Sequence, residues 1–297
     1  MLKNRQWREQ GIRWTFFFAA SVSVVVLSLI VIFLFSQGMP LFGKVSVSKF
    51  VFGSDWYPTS QPPDFGAFSL ITASVAVTAL SALLSIPLGV MAAIYLAEIA
   101  SRRFREIAKP ITELLAALPS VVIGFFGMVV VAPFLQDMFD IPTGLNLFNA
   151  SLMLAFMSVP TICSISEDAI YNVPHELREA SLALGATQWE TIRRVILPAS
   201  LPGISTAIIL GMSRAIGETM VVLMVAGGAA IVPDSLFGPV RPMPASIAAE
   251  MAEAPFRSAH YHSLFAIGIV LFVFTMCFNI FADYIAQKHK QVGASTL

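Results

Sequence analysis

Six long apolar runs leave this chain one kind of fold. They cover Trp14 to Phe35, Phe68 to Leu96, Ile111 to Phe134, Leu147 to Ile165, Pro202 to Ile231 and Leu264 to Ile285. A helix needs about 20 such residues to cross about 30 Å of hydrocarbon. Composition agrees: 57% of the 297 residues are apolar and 12% are charged, whereas soluble domains carry about 25% charge. Disorder is excluded by the same figures. The expectation is an all-α, polytopic membrane protein with six transmembrane helices. The first run follows Lys3, Arg5, Arg8 and Arg13 and is longer than a signal peptide's apolar region, so it reads as a retained helix. Pro87, Pro119 and Pro160 fall at membrane depth. The carbonyls they free need partners, which suggests a bundle with a polar interior, although a packing kink explains each proline equally well.

Net charge is zero, so no basic field for nucleic acid exists. The placement of the charges carries more information. The N-terminal four, Arg102, Arg103, Arg105 and Lys109, then Arg178, Arg193 and Arg194, then Lys288 and Lys290 all fall on one side of a six-span topology. The other side holds only Lys44, Lys49, Arg241 and Arg257. The positive-inside rule makes the first side, with both termini, cytoplasmic.

Cys163 and Cys277 lie in apolar stretches and form no disulfide or metal pattern. His260 and His262 lack a third metal ligand, and Asn149-Ala150-Ser151 is a chance sequon at a membrane boundary. No metalloprotease motif, nucleophile elbow or catalytic triad is present, so the chain does not read as an enzyme.

From Glu167 to Leu201 the chain turns polar and helical. Pro174 and Glu176 suit a helix start, Gly185 permits a sharp turn, and a second piece from Thr187 to Val195 closes at Leu197-Pro198. This stretch resembles the "EAA" loop of bacterial ABC-transporter permeases. Glu179, Ala180, Gly185, Leu197 and Pro198 stand in register with that pattern, while Ser181 replaces its second Ala and Val195 its Ile. The resemblance implies a type I importer permease fold and a coupling helix seated in a groove of a separate ATP-hydrolysing subunit. The chain lacks a Walker phosphate loop, which agrees with a separate subunit. No cofactor is then expected on this chain, and ATP and Mg belong to the partner ATPase.

Within the fifth run, Arg214 and Glu218 are the charges placed well inside a span. Arg214 lies 12 residues, roughly 18 Å, beyond Pro202, near the bilayer centre. A continuous helix puts Glu218 on the same face one turn on. They form either a self-neutralising packing pair or part of an anion pathway, in which the guanidinium grips an oxyanion and the carboxylate accepts a proton from it. Sulfate carries no such proton, so Glu218 would favour phosphate.

Arg214 through Gly227, with Thr219-Met220-Val221 at its centre, is similar to the fifth span of phosphate-specific ABC permeases of the C type. The sister A type usually continues Thr-Ala-Pro there. Leu118 to Gly124, Phe52 to Pro58 and Ala245 to Met251 also resemble that family, and the first 36 residues contribute least. The implied function is a permease subunit importing inorganic phosphate across the bacterial inner membrane by alternating access. Implied substrate-path residues are Arg214, Glu218 and Thr219. Implied partners are a second, A-type permease, two ATP-binding cassette subunits, a periplasmic phosphate-binding protein and membrane lipid. The alternatives are a permease for molybdate, sulfate or a phosphonate, a passive anion channel, or a phosphate-sensing subunit. The residues alone leave homodimer and heterodimer open.

The expected organisation is residues 1–36 as N-terminus and first span, 37–67 as an outer loop, 68–286 as permease core and 287–297 as a cytoplasmic tail. The core includes the 167–201 coupling loop and the 232–263 outer loop. The two outer loops present Trp56, Tyr57, Phe237 and Phe256, and the resemblance implies that they dock the binding protein. Asp55, Asp64, Asp137, Asp140, Asp234, Glu250 and Glu253 make the outer side acidic, which suits delivery by a carrier better than capture of bare phosphate.

Overall fold

The computed structural model describes residues 2–290, with side chains described at residue 10 and across 12–284. Residues 291–297 of the expected tail lie outside the described residues, as do the side chains of Lys3, Arg5, Arg8, Lys288 and Lys290. Among the described residues, six helical segments are long and apolar enough to span a membrane: Ile12–Gly43, Phe68–Ile99, Ser120–Phe139, Leu147–Tyr171, Gln188–Ile216 and Ala259–Tyr284. The chain is a multi-pass, all-α membrane protein.

The helices run in the order α1 (Leu2–Gly38), α2 (Val47–Phe52), α3 (Phe68–Ile94), α4 (Arg102–Ala116), α5 (Ser120–Phe126), α6 (Ala132–Phe139) and α7 (Leu147–Tyr171). There follow α8 (His175–Ala183), α9 (Gln188–Thr191), α10 (Leu197–Ile216), α11 (Met220–Val225), α12 (Met243–Glu250) and α13 (Ala259–Lys290). A small hairpin pairs β1 (Trp56–Tyr57) antiparallel with β2 (Asp64–Phe65).

Helix α7 is the centre of the bundle, packed against α3, α4 and α10. Lipid gives helices no hydrophobic drive to associate, so close approach through small residues replaces it. Ile162 of α7 is gripped this way from two sides. A Cβ at Gly89 of α3 would stand 2.8 Å from its Cγ2, and one at Gly211 of α10 would stand 2.7 Å from its Cγ1. Asn146 caps α7 by accepting from the Asn149 amide at 2.9 Å. The Gly238 and Leu236 carbonyls, from the loop after α11, accept from the amides of Leu147 and Phe148. Helix α1 leans on α13 and otherwise exposes apolar side chains, as a lipid-facing helix must.

Two of the expected spans are built differently. The third begins at Ser120, because Ala117-Leu118-Pro119 separates it from α4. Pro119 is the N-cap of α5, where its missing amide costs nothing. The fifth ends at Ile216 rather than Ile231. Gly217 is a poor helix former, and the Glu218 carboxylate offers the following amides a different acceptor. Pro87 and Pro160, by contrast, sit inside unbroken helices.

Candidate substrate path and coupling loop

Arg214 and Glu218 do not share a helix face. Arg214 is in the last turn of α10, while Glu218 lies in the break before α11. Glu218 Oε1 accepts from the amides of Met220 at 3.1 Å and Val221 at 3.3 Å. Among the described residues the two charges form no ion pair, so the self-neutralising reading falls. Arg214 is exposed on the flank of the chain, and its Nη1 donates to the Ala116 carbonyl at 3.3 Å, closing the end of α4. Thr219 is half-buried and donates to the Gly217 carbonyl at 3.3 Å.

The depth of Arg214 follows from its neighbours. Gly211 meets Ile162 and the Ser158 carbonyl of α7, and Arg214 lies one turn further along α10. That is the middle of α7. Its guanidinium offers five donors in a rigid fork, of which one bond to protein is seen among the described residues.

The 175–196 loop projects from one end of the bundle. Gly185 adopts φ +84°, turning the chain sharply between α8 and α9. Glu179, Ala180 and Gly185 are exposed, and Leu184 and Trp189 are 90% and 61% exposed, so the tip presents apolar groups outward. Thr187 and Glu190 form a reciprocal capping box that starts α9. Ser181, the departure from the EAA pattern, has a use: its hydroxyl lies 2.9 Å from that of buried Thr191, tying the two arms together.

Leu197 and Pro198 do not close the loop. A wide π-type turn over Ile192–Ile196 leads into α10, and the helix continues to Ile216. Pro198 has no amide to donate, and its place in the first turn of α10 follows directly after the shifted register of that turn.

Sequence reasoning missed the contacts that hold this loop. Arg178 Nη2 bonds Glu98 Oε1 at 2.5 Å, and the same guanidinium donates to the carbonyls of Val173 and Ile170 at the end of α7. Gln188 Nε2 donates to the Glu98 carbonyl at 3.3 Å. A second network joins α4 to α7: buried Glu167 pairs with Arg105 and with Lys109, which also pairs with Asp168. The Arg105 guanidinium stacks 3.5 Å from the Tyr171 ring centre.

At the opposite end of the bundle, Glu250 gathers three segments. Its carboxylate accepts from Trp56 Nε1 at 3.1 Å and Arg241 Nη1 at 2.6 Å, and lies 2.8 Å from His260 Nε2. Trp56 is therefore buried, not presented, while Tyr57 and Phe256 are exposed and Phe237 is half-buried against Phe139 and Phe148. Two of the passages that carry the family resemblance thus meet through Trp56 and Glu250. His262 Nδ1 lies 2.6 Å from the Gln37 carbonyl. Each histidine therefore has a polar partner, and among the described residues no group of three or more His, Cys, Asp or Glu could hold a metal. Asn149 is buried against the Gly127 and Gly144 carbonyls, which excludes it as a glycan acceptor.

Comparison with known proteins agrees with this architecture. A probable ABC transporter permease protein, YqgH of Bacillus subtilis (strain 168), is 38% identical over 290 residues, covering 97% of this chain and 94% of its own. The phosphate transport system permease protein PstC of Mesorhizobium japonicum is 35% identical, covering 91% of this chain and 87% of its own. Among solved structures, a bacterial alginate ABC transporter in complex with an alginate pentasaccharide-bound periplasmic protein has a chain that superposes with TM-score 0.66. Its identity is 16%, with 95% of this chain and 97% of that chain covered, so it shares the fold. The family described as binding-protein-dependent transport system inner membrane component matches residues 85–291, and this chain belongs to that family.

Proposed function

We propose that this chain is one permease subunit of an ATP-driven importer of inorganic phosphate. The observation that carries the reading is Arg214: an exposed guanidinium at mid-depth, with one protein acceptor in view among the described residues. A charge there is costly unless it faces water, a partner or a substrate. Its free N–H groups match the geometry of a tetrahedral oxyanion. Glu218 Oε2 is left over once Oε1 has capped α11, and it can accept the P–OH proton of partly protonated phosphate. The names of relatives such as PstC support phosphate over other oxyanions.

The loop at 175–196 then faces the cytoplasm, as do both termini, in keeping with the basic residues on that side. Its exposed apolar tip takes one of two ATP-binding cassette subunits, which hold ATP and Mg and hydrolyse the nucleotide. A second permease of the A type covers the flank bearing Arg214 and completes the path. The outer loops receive a periplasmic phosphate-binding protein. ATP binding draws the cassettes together, and the pull on α8 and α9 rocks the spans between outward- and inward-open states about Arg214.

The test is reconstitution of the full complex in proteoliposomes. Phosphate with its binding protein should stimulate ATP hydrolysis and uptake, and Arg214→Ala should abolish uptake while assembly persists. Stimulation by sulfate or molybdate without phosphate would overturn the substrate, and wild-type uptake by Arg214→Ala would overturn the site.

A further inference from the structure

We infer that the polar face of α4 is one wall of a water-filled vestibule below Arg214, and that Glu113 on it drives the anion out towards the cytoplasm. This rests on the proposal that Arg214 lies on the substrate path.

The level of α4 comes from its contacts. Lys109 stands beside Glu167, one turn from the end of α7, at 2.9 Å. Ala116 is bonded by Arg214 at mid-depth. Helix α4 is therefore a half-span, climbing from the loop end to the centre and stopping where the candidate site begins. Its two faces differ sharply. Phe104, Ile107, Ile111 and Leu114 form an exposed apolar stripe at helical spacing. Arg102, Arg105, Glu106, Lys109 and Glu113 fall on another face and, with Tyr171, line a cavity of about 560 Å³. Charged groups at this depth need water or a counter-charge.

Most of them have a counter-charge. Arg102 pairs with Glu106, and Arg105 and Lys109 pair with the carboxylates of α7. Glu113 has none among the described residues. It lies one turn below the carbonyl that Arg214 holds. A departing anion thus meets no free cation on this wall after Arg214, and it has an unpaired carboxylate behind it as it leaves. Conduction requires sites weak enough to release what they bind, and this wall supplies that weakness.

The test uses the assembled transporter in proteoliposomes, with Cys163 and Cys277 replaced by alanine. A cysteine at Glu113 should react with a membrane-impermeant thiosulfonate from the cassette side at least tenfold faster than one at Leu114. Glu113→Lys should cut phosphate uptake at least tenfold by retaining the anion, while the complex still assembles and hydrolyses ATP. Equal labelling at the two positions overturns the vestibule, and wild-type uptake by an assembled Glu113→Lys overturns the release role. If that variant fails to assemble, Glu113→Gln takes its place: slower uptake is expected, and uptake equal to wild type overturns the release role. Labelling does not depend on substrate identity, so a failure here with uptake still lost in Arg214→Ala is distinct from a failure of the phosphate reading.

Discussion

Arg178 of α8 and Glu98, just past the end of α3, form an ion pair at 2.5 Å with side chains only 15% and 9% exposed. The pair ties the 175–196 loop to a membrane helix 80 residues earlier. The same guanidinium caps the carbonyl end of α7, so one side chain joins the loop to both helices whose packing forms the centre of the bundle. Motion imposed on α8 reaches those helices without a flexible linker between.

Arg178→Ala should therefore uncouple the complex. It leaves Glu98 as a buried, unpaired carboxylate, which costs about 3–5 kcal/mol where a buried pair is broken. Cassette ATP hydrolysis should persist while uptake per ATP falls, and the permease should melt at lower temperature. Uptake per ATP equal to wild type would show that the pair transmits nothing.

The exposed tip predicts a binding hot spot. Trp189→Ala removes a large apolar side chain that is 61% exposed at the tip of the loop. A loss of about 2 kcal/mol, typical of such anchors, weakens cassette association about 30-fold. Titration of the cassette subunit against the solubilised permease would measure it, and the permease's own melting should not change.

Gly185→Ala strains the turn directly. With φ at +84° and open space around the Cβ, the cost is conformational, roughly 1–2 kcal/mol. Weaker cassette binding without loss of bundle stability is expected. Binding at wild-type affinity would show that the loop can turn another way.

At the outer end, Glu250→Ala strands the Trp56 and Arg241 donors that converge on it. Each stranded, part-buried donor costs about 1–3 kcal/mol. Hydrogen exchange should rise across residues 226–242 and the β1–β2 hairpin but not in α7. Stimulation of ATP hydrolysis by the binding protein should fall with it. Unchanged exchange would mean that the segments are held by apolar packing alone.

Gly211→Leu would force a larger side chain against Ile162. Overpacking costs about 1–3 kcal/mol, so a lower melting temperature and poorer yield are expected. A paired Ile162→Ala should restore part of both, because it empties the space the new side chain needs.

Much of this was legible along the chain. Hydropathy located six spans because solvation by lipid is a property of each segment separately. The EAA register located the loop, since the turn at Gly185 and the exposure of Leu184 and Trp189 depend on residues within one short stretch. The charge imbalance between alternate stretches predicted an orientation for the same local reason.

What the chain could not declare were its breaks and its distant pairs. An apolar run looks continuous through Gly217, yet that glycine and the competition of Glu218 for the amides of α11 end the helix there and separate Arg214 from Glu218. Ile111 opens an apolar run too, yet α4 ends at Ala116, where Ala117-Leu118-Pro119 breaks it, and its Arg105 and Lys109 are held by carboxylates of α7 far along the chain. Glu98 found Arg178, and Trp56 found Glu250, across separations that no periodicity records. Spans and motif were local and so belonged to the sequence. The partners of its buried charges were decided by tertiary packing, because in lipid a charge is stable only where the whole fold brings it a counter-charge or water.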